Sequence, residues 1–176
     1  MSSPELKPSS FSPDTLELLR LFGNHQVRYV VVGGHAVIYY GYPRLTGDID
    51  LFFDRDPKNA ARLYSALAEF WGGDVPGVDG PDELSRDGLI LQFGRPPNRI
   101  DLMNQVDGLT FEEAWQTRLG LEISGKAIQV PYVSLAKLIQ NKEASGRPRD
   151  LEDLEYLRRA AQSETTRSKT SPKKRG

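Results

Sequence analysis

Cysteine is absent from this chain, histidine occurs only at His25 and His35, and no apolar run is long enough to span a bilayer. The lack of cysteine excludes disulfides, thiolate catalysis and cysteine-ligated zinc. Two histidines so placed give no zinc-ligand spacing. The opening residues Met1–Glu5 carry no basic segment leading into an apolar one, so no secretory signal is expected, and a cytoplasmic location fits both absences. No Gly-x-Ser-x-Gly elbow is present for triad hydrolysis, and no Gly-x-Gly-x-x-Gly fingerprint for a dinucleotide.

The 176 residues suit one compact domain. Net charge is −1, but residues 162–176 carry Arg167, Lys169, Lys173, Lys174 and Arg175 against Glu164 alone. That stretch is rich in Ser and Thr, offers nothing apolar to bury, and is expected to be a disordered basic tail. Residues 1–11, with Pro4, Pro8 and several serines, are expected to form a flexible arm. The domain proper is then 12–161.

Within it, Ser12-Pro13 caps and starts a helix ending at Gly23-Asn24. Tyr29–Val32 is a β-branched run without polar alternation, a strand buried on both faces. It stops at Gly33-Gly34, and a short helix follows over His35–Tyr40. Asp48–Phe53 is a second strand, and Asp56-Pro57 starts a helix to about Phe70. The glycine-rich 72–88 reads as a mobile loop. Leu89–Phe93 and Arg99–Met103 are strands, Thr110 and Glu113 form a capping box, and Leu121–Ile123 with Ala127–Val130 form a hairpin. Helices from Ser134 to about Glu143 and from Arg149 to about Ala161 end the domain, the last with Leu151, Leu154 and Leu157 inward. The order predicts an α+β or mixed α/β fold.

Side chains two apart on a strand share a face, so Asp48 and Asp50 project together while Ile49 and Leu51 turn to the core. Neighbouring carboxylates resist ionising, and a divalent cation removes that penalty. Mg²⁺, or Mn²⁺ in its place, suits such a site because it takes few protein carboxylates and fills its other positions with water and phosphate oxygens. Asp101 repeats the pattern between Ile100 and Leu102. If its strand lies beside the Asp48–Asp50 strand, three carboxylates converge, enough for a two-metal site. Gly33-Gly34 stands between a strand and a helix, where backbone N–H groups bind phosphate and glycine permits close approach. The pair is not part of a Gly-x-x-x-x-Gly-Lys loop.

Val32-Gly33-Gly34-His35-Ala36-Val37 and Gly41-Tyr42-Pro43-Arg44-Leu45-Thr46-Gly47-Asp48-Ile49-Asp50-Leu51 together resemble the polymerase-β-like nucleotidyltransferases. The resemblance extends to the small bacterial group around the AbiEii-type toxins, whose helical end resembles Lys137–Lys142 with Arg147, Arg149-Asp150 and Asp153. The resemblance implies a nucleotidyltransferase fold, a twisted mixed sheet flanked by helices with a helical C-terminal end. It implies a nucleoside triphosphate and a divalent metal, with Asp48, Asp50 and Asp101 as metal-holding catalytic residues. The reaction it implies moves a nucleotidyl group to a hydroxyl with release of pyrophosphate; an RNA end, a protein side chain and a small metabolite are all open as the acceptor. A toxin–antitoxin setting with an antitoxin partner belongs to the same resemblance, and so does a nucleotide contact for Lys142. Many members carry serine after the first glycine or just beyond it, where this chain has Gly34 and His35.

Arg44 and Thr46 have two readings, phosphate contact or a hold on the loop. His35, Trp71 and Trp115 read as packing residues. Asp150 and Asp153 read as partners of Arg147 and Arg149 or as caps of the last helix. Two alternatives to catalysis stand beside the enzyme: a binding module of the same fold without turnover, and a nucleic-acid binder acting through the basic tail.

Overall fold

The computed structural model describes residues 5–170. In chain order the strands and helices are β1 (Glu5–Leu6), α1 (Pro13–Asn24), β2 (Tyr29–Val32), α2 (Gly33–Tyr39), β3 (Asp48–Phe53), α3 (Pro57–Trp71), α4 (Pro81–Leu84), β4 (Ile90–Phe93), β5 (Arg99–Met103), α5 (Phe111–Gln116), β6 (Leu119–Ile123), β7 (Ile128–Tyr132), α6 (Leu135–Ser145) and α7 (Pro148–Thr170). A single 3-10 turn, Pro8–Ser10, joins β1 to α1. The helices start where the chain supplies caps. Ser12 Oγ accepts from Thr15 N–H, Asp56 from Lys58 N–H and Ser134 Oγ from Lys137 N–H, and Pro13 and Pro57 occupy first-turn positions. Thr110 and Glu113 close a full capping box at α5.

The strands form one mixed seven-stranded sheet in the order β1-β6-β7-β2-β3-β5-β4. With helices packed around it, this is a mixed α/β architecture. β3 lies between β2, antiparallel to it, and β5, parallel to it. Val30, Val31, Leu51, Leu102 and Val130 are fully buried along these middle strands. Burial on both faces explains why β2 reads as a continuous apolar run. Register decides the rest. Asp50 stands opposite Val32 on one side and opposite Asp101 on the other, while Asp48 stands opposite Arg99. The end of β2, the start of α2 and the carboxylate-bearing strands therefore meet at one place.

Four expectations are corrected. The 1–11 arm is not wholly free: Glu5 and Leu6 pair in parallel with Glu122 and Ile123, and Phe11 is buried. The 72–88 segment is folded rather than open loop, with Val75, Val78 and Leu84 buried and α4 inside it. Asn104 ties it down: its Nδ2 donates to the carbonyls of Leu84 and Arg86, and its Oδ1 accepts from Leu89 N–H. Leu151 is 58% exposed, because the buried stripe of α7 runs through Asp150, Asp153, Leu154 and Leu157 and leaves Leu151 at its edge. Finally, α7 continues past Ala161 to Thr170, so the first part of the 162–176 tail is helical, and the remainder of that expectation lies outside the described residues.

Residues 162–169 are exposed throughout. Truncation after Ala161 is accordingly expected to cost about 1 kcal/mol or less in total, a drop of no more than about 4 °C in the thermal midpoint, since exposed residues lose no buried contact. A scanning calorimetry midpoint many degrees lower would show that this end of α7 is needed for the fold.

Candidate active site

Asp48, Asp50 and Asp101 each offer a carboxylate oxygen, and these atoms all lie within 4.8 Å of one another. The expected convergence follows from the parallel pairing of β3 and β5, whose pleat puts alternate residues of both strands on one face. Asp101 is buried and the other two are partly so. Among the described residues Asp50 has no hydrogen-bond partner. Burial, then the charges of Asp48 and Asp101, raise its carboxyl from an ordinary value near 3.8 to about 7.

Arg99 answers part of this charge. Its Nη2 donates to Asp48 Oδ2 at 2.6 Å and to Asp101 Oδ2 at 2.9 Å, and its Nε donates to Asp101 Oδ1 at 2.8 Å. The hydrogen bonds to Asp101, followed by the charges around it, raise the guanidinium above its ordinary value. Arg99 was not singled out from the sequence, although the period-two rule that pairs Asp48 with Asp50 places Arg99 on the same face as Asp101. The three carboxylates supply hard oxygen donors only, a set that fits Mg²⁺ or Mn²⁺.

Gly33 and Gly34 earn their identity by contact. Gly33 has φ +65°, and a Cβ there would overlap the Asp50 carboxylate. A Cβ on Gly34 would lie 2.6 Å from Thr46 Oγ1 and 3.4 Å from Arg44 Nη1. Thr46 Oγ1 donates to the Asp48 carbonyl at 3.1 Å and stands 3.2 Å from Asp48 Oδ1. Arg44 and Thr46 therefore do hold the loop, and both also face the cleft.

The same cleft holds an ion network centred on the buried Lys142, Asp150 and Asp153. Lys142 Nζ lies 2.7 Å from Asp150 Oδ1 and 3.0 Å from Asp153 Oδ2. Arg44 Nε lies 2.8 Å from Asp153 Oδ1, and Arg147 Nε lies 2.8 Å from Asp150 Oδ2. Burial works to raise the Asp150 carboxyl, but hydrogen bonds from Lys142 and Arg147 outweigh it and leave the group well below the usual range. Arg149 takes no part in this network and donates instead to the Leu45 carbonyl.

A cleft of about 630 Å³ joins these parts. It is lined by all eight residues that the sequence marked: Gly33, Gly34, Arg44, Thr46, Asp48, Asp50, Asp101 and Lys142. Arg99, Arg147 and Arg149 add positive charge to its wall. Lys142 sits at that wall only 5% exposed, rather than projecting from its helix. His35 stacks on Phe11 at 5.6 Å, in keeping with packing. Neither tryptophan lines the cleft: Trp115 stacks with Arg118, and Trp71 is 41% exposed rather than core. The string Gly120-Leu121-Glu122-Ile123-Ser124-Gly125-Lys126 spells a Gly-x-x-x-x-Gly-Lys, but Ala127 follows it, and it forms β6 and a hairpin turn. It is no phosphate loop.

Residues 15–161 match the family described as nucleotidyltransferase of unknown function (DUF6036). The match takes in most of the chain, and the protein belongs to that family. Among curated proteins none matches the chain. Of solved structures, that of a "putative nucleotidyltransferase" from Thermotoga maritima is similar at a TM-score of 0.48 and 15% identity, over 90% of this chain and 97% of that one.

Two outcomes test this electrostatic arrangement. A carboxyl raised on folding contributes stability that is fully present below its unfolded value, near pH 3.8, and is lost as pH rises through about 7. In metal-free buffer, Asp50→Asn should match wild type near pH 4 and exceed it at pH 8 by on the order of 2 kcal/mol, as urea unfolding would measure. An equal difference at both pH values would contradict the raised carboxyl. Lys142→Met leaves Asp150 and Asp153 short of a partner in a buried site, and should cost about 3–5 kcal/mol in the same measurement. A loss under about 1 kcal/mol, the worth of an exposed pair, would show that the network is solvated.

Proposed function

We propose that this chain transfers a nucleotidyl group from a nucleoside triphosphate to a hydroxyl acceptor, with release of pyrophosphate. The observation that carries it is the meeting, in one cleft of about 630 Å³, of a three-carboxylate face and a basic wall of Arg44, Lys142, Arg147 and Arg149. The volume suits a nucleotide, and the two walls have the polarity that metal and polyphosphate require. Membership of the nucleotidyltransferase family supports the same reaction class.

Asp48, Asp50 and Asp101 would hold Mg²⁺ or Mn²⁺, which when bound supplies charge stabilisation at phosphate and lowers the barrier to ionising a hydroxyl. Arg44, Lys142, Arg147 and Arg149 face the cleft where the triphosphate would lie and attract its negative charge. Gly33 and Gly34 leave room for phosphate beside the carboxylates. The acceptor oxygen forms a bond to the α-phosphorus as the bond from that phosphorus to the β-bridging oxygen breaks. The hydroxyl proton passes toward Asp101, and pyrophosphate leaves with the electron pair. Holding the reactants in line supplies most of the acceleration such a site can give.

The binding module without turnover draws on the missing serine. Against it stands Thr46, whose hydroxyl fills the space beside Gly34 that a side chain there would enter. A hydroxyl is thus returned to the glycine loop from another part of the chain. An antitoxin partner rests on the AbiEii-type resemblance, an RNA end or a protein side chain is the acceptor class proposed, and a cytoplasmic setting fits the lack of cysteine.

Incubation with each α-³²P nucleoside triphosphate, Mg²⁺ and total RNA or lysate should label one acceptor class. Asp48→Asn should reduce that labelling at least about 10³-fold, the scale seen when a charge-stabilising group at the reacting centre is lost. A folded wild type that binds nucleotide and metal yet labels nothing would favour the binding module, and one that binds neither would sink both.

A further inference from the structure

Arg99 stands where a cation belongs. Its guanidinium takes both oxygens of Asp101 and one of Asp48, at 2.6–2.9 Å. Those are the atoms a divalent ion would draw on, and Mg²⁺ comes to about 2.0–2.1 Å of its oxygens. A guanidinium bonded to the same carboxylates competes with the ion for them and repels it at short range. Asp50, the third carboxylate, has no hydrogen-bond partner among the described residues, so the competition falls on Asp48 and Asp101.

Arg99 also has somewhere to go. Its side chain is 29% exposed and lines the same cleft as Arg44, Lys142, Arg147 and Arg149. The other basic groups are committed: Arg44 to Asp153, Lys142 to Asp150 and Asp153, Arg147 to Asp150, and Arg149 to the Leu45 carbonyl. Arg99 is the one cleft cation whose partners in the described residues are the candidate metal-holding carboxylates themselves.

We propose that Arg99 is an exchangeable internal counter-ion: it neutralises the carboxylate face in the free protein, yields Asp48 and Asp101 to the incoming divalent cation, and turns into the cleft to pair with the triphosphate. The proposal rests on the nucleotidyl-transfer function proposed above. No covalent bond changes; guanidinium–carboxylate pairs are exchanged for guanidinium–phosphate pairs. Arg99 is in this sense a positioning residue. It keeps like charges together without metal, and it makes metal and triphosphate each favour the other's binding. A metal ion arriving alone meets a site already filled by positive charge. One arriving with triphosphate brings the anion that draws the guanidinium away.

The test is Mn²⁺ affinity of the full chain, read from the electron paramagnetic resonance signal of free Mn²⁺, for wild type, Arg99→Gln and Arg99→Lys. Arg99→Gln should bind Mn²⁺ alone about tenfold more tightly than wild type, within the usual range of site-to-site coupling. Arg99→Lys, which keeps the charge, should stay near wild type. Unchanged or weaker binding by Arg99→Gln would overturn the proposal while leaving the metal site intact. No Mn²⁺ binding by any of the three would overturn the metal site and the proposal together. Wild type supplies a reading that needs no folded variant. The ¹⁵N resonance of Arg99 Nε should move on adding Mg²⁺ with an α,β-methylene nucleoside triphosphate, and a resonance that stays in place while both ligands bind would overturn the exchange.

Discussion

Three carboxylates whose oxygens lie within 4.8 Å repel one another, and the structure around them is organised to bear that repulsion. The sheet supplies the force that opposes it. β3 and β5 pair over five residues in parallel register, and apolar neighbours Ile49, Leu51, Ile100 and Leu102 are buried behind the acidic face. Charge of one sign is thus mounted on a rigid, apolar support. Arg99 offsets two of the three groups, and the third keeps its proton more readily than a free aspartate does. The arrangement is poised to accept positive charge from outside.

The basic wall solves the inverse problem. Lys142 is buried and needs counter-charge, which Asp150 and Asp153 provide from the next helix. Asp153 also receives Arg44 from the loop before β3, so a single fully buried carboxylate binds the loop, α6 and α7 into one unit. Helix α7 holds that loop twice more, through Arg149 at the Leu45 carbonyl and Tyr156 stacked on Tyr42 at 3.8 Å. Networks of this kind behave as units, and removal of one partner leaves the others costly.

The acidic face was legible in the sequence because it is local. Asp48 and Asp50 share a face by strand geometry alone, and Asp101 announces itself as a charge between aliphatics. Arg99 obeyed the same rule and was passed over, since an arginine at a strand start is so often solvated. The basic wall was legible only as a set of residues. That Arg44 bonds Asp153 across 109 positions is a fact of tertiary packing that no spacing encodes. Glycines in 72–88 masked Val75, Val78 and Leu84, and the fixing group, Asn104, comes from outside that segment. β1 is two residues long and gains its strand character wholly from β6.

The bond between Arg44 and Asp153 also sets an order in time. During synthesis the chain from β2 to β5 emerges first, and with it the acidic face. The helix α7, which carries Asp150 and Asp153, leaves the ribosome after them. Until it docks, Lys142 and Arg44 lack their buried partner, and the loop before β3 lacks its clamp. A nascent chain therefore carries half a cleft, and the basic half closes on it only once α7 has emerged and docked.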